Sequence, residues 1–216
     1  ISLMGGSRAA ALVQLRQALD DAKDFSRNRK AALAGDHREY VLSYADLAAL
    51  EPLVNGTKPL LVRTNRASDI SVILELAKNF QLQLILSSAL EGWMVADEIA
   101  KAQVPVIIDP IYNLPNSYES LGARLDNAKL LADAGVKLLF TGMDWHNTHN
   151  AYLVRQSAGN AVANGLDKSV AIAAMTSNPA QLFNAPVTGD IAIGDIADLV
   201  LWGGDPLELT SEAELV

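Results

Sequence analysis

Between Pro59 and Gly142 the chain alternates two textures. Short apolar runs stand at Pro59–Thr64, Leu82–Ser87, Val104–Asp109 and Lys137–Thr141. Each is of strand length, rich in Leu, Ile and Val and without polar alternation, which is the pattern of a strand buried on both faces. Helical periodicity fills the gaps. Ser68–Phe80 sets Ile70, Ile73, Leu74 and Ala77 on one face, with Ser68 as the expected N-cap. Leu90–Ala102 repeats the form with Trp93, Val95, Ala96, Ile99 and Ala100, and Ser117–Ala134 follows, closed by Gly135. This rhythm predicts right-handed βαβ units in a parallel sheet.

The flanks differ. Upstream the pattern predicts a long helix over Ser7–Phe25 and a second beginning at Ser43, which has capping-box spacing with Asp46. Downstream it predicts helices over Ala151–Asn164 and Asp167–Thr176, then a short turn of helix from Pro179. Gly189–Trp202 reads as Gly-punctuated β structure outside the parallel repeat.

Four parallel strands do not close a barrel, and an open edge of buried type invites pairing. The expected fold is therefore α/β, a partial (β/α)8 TIM barrel holding roughly strands 5–8 with their helices. Residues 1–185 form this C-terminal half-barrel, and residues 186–216 form a separate β segment. The expected partners are the N-terminal half of the same protein and, through exposed sheet edges, a second copy. A start at Ile1 instead of Met agrees with a partial or processed chain.

Composition narrows the function classes. Half of the 216 residues are apolar, 19% are charged and the formal net charge is −8. No Lys/Arg stripe exists to hold phosphates, so nucleic acid is excluded as a partner. There are no cysteines, which removes disulfides, zinc–thiolate sites and thiol nucleophiles together. No apolar run is long enough to span a bilayer, so the expectation is a soluble protein, with cytoplasm and periplasm both open. P-loop, GxGxxG and G-x-S-x-G patterns are absent.

In a parallel barrel, chemistry gathers where strands end. The first run ends in Arg63, Thr64, Asn65 and Arg66, the second in Ser87 and Ser88, the third in Asp109. Arg63 offers a fork of donors to a carboxylate or phosphate, or else pairs structurally; Asp109 is a substrate contact or an Asp-Pro turn. The segment after the fourth run is densest, with Asp144, His146 and His149 within six positions. Those groups suit zinc, manganese or iron, or general-base work; the alternative is a polar loop capping the next helix. Trp93 is expected in the core and His37 on the surface.

The tail carries a resemblance. Thr176-Ser177-Asn178-Pro179-Ala180, followed by Gly189-Asp190-Ile191-Ala192-Ile193-Gly194-Asp195-Ile196-Ala197-Asp198-Leu199-Val200, resembles the end of amidohydrolase superfamily enzymes, where a T-x-N-P-A helix precedes a G-x-I-x-x-G-x-x-A-D-L-V strand pair. Imidazolonepropionase-like members are the nearest subgroup. The resemblance implies a metal-dependent hydrolase of C–N bonds in non-peptide or cyclic amides, acting on a small molecule. It also implies a small β-sandwich built from both chain ends. Its ligand set is a His-x-His pair after the first strand, Lys or Glu on the fourth, one His each on the fifth and sixth, and an Asp on the eighth that activates the metal-bound water. Carried over, the eighth-strand Asp matches Asp144. The fifth-strand His position falls at Asn65 and the sixth at Ser87 or Ser88, while the first pair would precede residue 1. The expectation is one divalent metal at a degenerate site, with His146 and His149 compensating. The competing expectation is a non-catalytic barrel homologue that binds without turnover.

Overall fold

A computed structural model describes residues 6–142 and 152–216. The chain divides into two compact units, one of Ile1–Leu60 with Glu75–Leu84 and the other of Leu61–Leu74 with Ile85–Val216.

The first unit is built on two helices, α1 (Arg8–Ala34) and α2 (Tyr44–Val54). Ser7 caps α1 by accepting the Ala10 N–H at 3.1 Å. The helix runs beyond the expected end at Phe25. It bends at Asn28, whose Nδ2 donates to the Asp24 carbonyl, and resumes until Gly35. At α2 the expected capping box forms, Ser43 Oγ accepting the Asp46 N–H at 3.2 Å and donating to its carboxylate at 2.6 Å. Ala22, Phe25, Ala32 and Leu47 form the core between the helices. Phe25 stacks on Tyr44 at 5.5 Å and meets Tyr40 edge-on at 5.9 Å.

His37 is not a free surface residue. Its Nε2 lies 2.7 Å from Asp24 Oδ2, which also accepts the Tyr40 hydroxyl at 2.8 Å. Arg38 donates to the fully buried Asp21 at 2.8 Å. The contact with His37 is the main reason the Asp24 carboxyl is held below its ordinary range. Burial, helped by the bond to Asp24, pushes the Tyr40 phenol up to about 12.

The second unit carries a parallel sheet of order β1-β2-β3-β4. Its strands are β1 (Leu60–Thr64), β2 (Leu84–Ser88), β3 (Val106–Ile108) and β4 (Leu138–Phe140), close to the apolar runs read from sequence. Leu86 lies opposite Val106, and Val106 opposite Leu138. Leu86, Val106, Ile108, Leu138 and Leu139 are buried, each contributing about 1.5–3 kcal/mol by leaving water. β1 departs from expectation: its burial alternates, with Leu61 and Arg63 exposed, because it is an edge strand.

The connecting helices are α3 (Ala67–Phe80), α4 (Ala96–Lys101) and α5 (Asn127–Asp133). Ser68 lies inside α3 and does not cap it; the Ala67 N–H instead donates to Glu91, 24 residues away. The expected helix over Leu90–Ala102 splits into a 3-10 turn, Gly92–Val95, and α4. The expected helix over Ser117–Ala134 shrinks to α5. Ser117 and Ser120 hydroxyls take the N–H groups of Asn116, Ser117 and Glu119, offering the backbone a turn in place of a helix.

After the sheet come α6 (Leu153–Ala163), α7 (Lys168–Met175) and α8 (Ser177–Leu182). Asp167 caps α7, and its carboxyl lies below its ordinary range because the Ser169 hydroxyl and backbone N–H donate to it. In the tail, only β5 (Leu201–Trp202) and β6 (Ala213–Leu215) pair, and they do so antiparallel. The expected β structure over Gly189–Val200 is not formed: those residues find no strand partner among the described residues, and Ile191 and Ile193 face solvent.

Candidate functional site

Parallel pairing places the ends of β1, β2 and β3 side by side at one edge of the sheet. Asn65 and Arg66 follow β1, Ser88 ends β2, and Asp109 follows β3. Four sequence candidates (Arg63, Asn65, Ser88 and Asp109) therefore sit at C-terminal strand ends, where open α/β sheets bind ligands. Asp144, His146 and His149 lie outside the described residues.

The local chemistry differs at each position. Asn65 Oδ1 is buried and has no hydrogen-bond partner among the described residues, which leaves an acceptor open at the sheet end. Ser88 and Ala89 both have left-handed backbone, with φ of 75° and 46°. Consecutive non-glycine residues in that region are strained, and such strain concentrates where a loop is fixed for function. The Ala89 N–H donates to the Thr64 carbonyl at 2.8 Å, pinning this bend to β1. Asp109 Oδ1 accepts the Ile111 N–H at 3.1 Å and the Ser157 hydroxyl at 3.2 Å. Ser157 on α6 is fully buried and was not singled out by sequence, because its partner is 48 residues away.

Arg63 is exposed on the edge strand. Arg66 is committed elsewhere: its Nη2 donates to the Tyr118 carbonyl at 2.8 Å, and Glu119 lies 3.6 Å from Nε. Trp93 is partly buried. Its indole N–H donates to the Gly122 carbonyl at 2.8 Å, and Arg124 covers its ring at 4.7 Å. Arg124 also clasps Asp126 at 2.7 and 2.6 Å, holding that carboxyl below its usual range.

The tail motif now has a physical basis. Asn178 Nδ2 donates to the Leu138 carbonyl at 2.8 Å, tying α8 to β4. At Gly189, a Cβ would stand 2.5 Å from the Thr176 carbonyl carbon and 2.6 Å from the Ser177 nitrogen. The two signature segments thus meet backbone to backbone.

The Amidohydrolase family model matches residues 21–215, most of the chain. The chain belongs to the amidohydrolase family. Among solved structures it is similar to an amidohydrolase from Thermotoga maritima MSB8, with TM-score 0.80 and 21% identity over 95% of this chain and 53% of that one. It is also similar to a prolidase crystallised with N-methylphosphonate-L-proline, with TM-score 0.54 and 18% identity over 80% of this chain and 45% of that one. At these identities the likeness speaks for the fold alone. This amidohydrolase chain spans about half the length of those structures. No curated protein matches it.

Members of the amidohydrolase family commonly use divalent metals. Among the described residues of this chain, no group of three His, Asp or Glu side chains gathers to hold one. The strand ends supply an amide oxygen at Asn65, a hydroxyl at Ser88 and the already bonded Asp109, a weak donor set for zinc, manganese or iron. The described residues do not fit a metal by themselves, and no step is derived through one. No described helix is long and apolar enough to cross a membrane.

Proposed function

We propose that this chain is the C-terminal part of a hydrolase acting on C–N bonds of small amides, non-peptide or cyclic. Its sheet is an arc of a (β/α)8 barrel, residues 1–185, whose remaining staves come from the N-terminal half of the protein. Residues 186–216 belong to a small composite β-sandwich. The row of polar strand ends in an amidohydrolase family chain carries this reading.

Asn65 and Ser88 stand where the family places imidazoles, so the site is a degenerate one. Its metal, if loaded, is a single ion held by Asp144, with His146 and His149 as further ligands. Asp144 is the catalytic residue, taking the proton from the attacking water. Asn65 Oδ1 accepts a substrate N–H, an assignment supported by its lack of a partner among the described residues. Ser88 donates to a substrate oxygen, and Arg63 and Asp109 select polar substituents. The subgroup proposed is imidazolonepropionase-like.

The test uses the full-length protein purified without chelator, with zinc or manganese added or withheld. The panel is hydantoin, dihydrouracil, a simple lactam and N-acetyl amino acids. Hydrolysis of at least one compound is expected, lost in Asp144→Asn with an unchanged circular dichroism spectrum. No turnover across the panel, with substoichiometric metal after purification, would leave a binding module in place of an enzyme.

A further inference from the structure

Glu91 follows β2 and is partly buried. Its backbone N–H donates to the Asn65 carbonyl at 2.9 Å. Its two carboxylate oxygens serve two other loops: Oε2 accepts the Ala67 N–H and Oε1 the Gly122 N–H, each at 3.1 Å. One residue therefore joins the loops after β1, β2 and β3.

The rest of the clasp is built around the same points. The Trp93 indole N–H donates to the Gly122 carbonyl at 2.8 Å, so both backbone groups of Gly122 are held by the loop after β2. A Cβ at Gly122 would lie 2.5 Å from the flexible end of Met94 and 3.0 Å from Glu91 Cγ, so the loop after β2 packs closely on Gly122. Asn127 is fully buried, accepts the Trp93 N–H at 2.9 Å and donates to the Ala89 carbonyl at 3.1 Å.

We propose that Glu91 is a positioning residue that fixes Asn65 and Ser88 at the mouth of the sheet through the backbones of three loops. It touches no substrate. A carboxylate suits this task because it only accepts and has an oxygen for each amide. Glutamine has the same shape but one acceptor, and its NH2 would face a backbone N–H. Gln at this position fills the space while opening one arm of the clasp, so a purely packing role would leave that variant silent.

The proposal rests on the strand ends being the substrate site, but the clasp itself is read without substrate. In the full-length protein, amide hydrogen exchange is compared for wild type, Glu91→Gln and Glu98→Gln. Glu98 accepts the Ser71 hydroxyl at 2.8 Å and serves as control. Exchange at Ala67, Ala89 and Gly122 is expected to rise about tenfold in Glu91→Gln, while Leu138–Phe140 and the control keep wild-type rates. Unchanged exchange at the three loops would overturn the clasp, and a uniform rise that includes β4 would reduce Glu91 to a general stabiliser. With a panel compound that the wild type hydrolyses, KM is expected to rise about tenfold at unchanged kcat. A fall in kcat at unchanged KM would overturn the assignment to substrate positioning. Failure of the whole panel removes the hydrolase reading and leaves the exchange result to decide the clasp.

Discussion

Replacing Gly189 with alanine probes the contact that joins the two signature segments of the tail. Gly189 has φ of +73°, and a Cβ there would lie 2.5, 2.6 and 2.7 Å from Thr176 C, Ser177 N and Thr176 O. All three are backbone atoms, so no flexible side chain can swing aside. Left-handed backbone costs a residue with a Cβ about 1–2 kcal/mol, and forcing atoms into filled space costs about 1–3 kcal/mol more. The sum is about 2–5 kcal/mol. Gly194 separates the two components: its φ is +99°, yet nothing lies within 4 Å of its Cβ position. Gly194→Ala should therefore lose only the backbone part, about 1–2 kcal/mol. Urea unfolding followed by circular dichroism gives both values under one slope of about 1–3 kcal/mol per molar. Equal losses for the two variants, within about 0.5 kcal/mol, would refute the close contact and with it the physical explanation of the motif.

Three further outcomes concern other parts of the chain. The Asp24 carboxyl is lowered in the folded state, so it adds stability above its unfolded value near about 3.9 and loses it as pH falls through the folded value. Asp24→Asn should flatten the acid limb of the stability–pH curve below about pH 4, and an unchanged limb would remove the His37–Asp24 contact from the account. Tyr40 behaves in the opposite sense. Its folded value is raised to about 12, so its contribution is present below about pH 10 and disappears as pH rises toward about 12. Tyrosinate absorbance should show a late-titrating component that Tyr40→Phe removes. Asn127→Leu leaves the Trp93 N–H and the Ala89 carbonyl without their partner. Thermal unfolding should register a loss of about 2–5 kcal/mol, and one below about 1 kcal/mol would show that the loops re-pair.

The sheet could be read because its signal is local. Leu84–Leu86 and Leu138–Phe140 are unbroken apolar runs, and the strands fall within the expected spans except at Ser88, one residue past the end expected for β2. Of the two N-caps read from the sequence, Ser43 serves an amide three residues ahead, whereas Ser68 lies inside α3. The long loop between β3 and α5 could not be read. Its serines compete with the helix for backbone groups, and apolar periodicity does not record that competition. The N-terminus of α3 was misplaced for a related reason, since its first amide is satisfied by a residue on another loop.

The candidate site divides along the same line. By itself the sequence determined which polar residues end each strand, because a buried apolar run fixes where the chain re-emerges. It also determined the family, through a tail in which Asn178 bonds to β4 and Gly189 meets backbone. Only the tertiary structure decided that Asn65 keeps a buried acceptor unpaired among the described residues, that Arg66 is spent on Tyr118 and Glu119, and that Glu91 links three loops. The contacts of Arg66 and Glu91 join residues 24 to 53 positions apart. Partners at such separations are chosen by packing, and no periodicity along the chain encodes them.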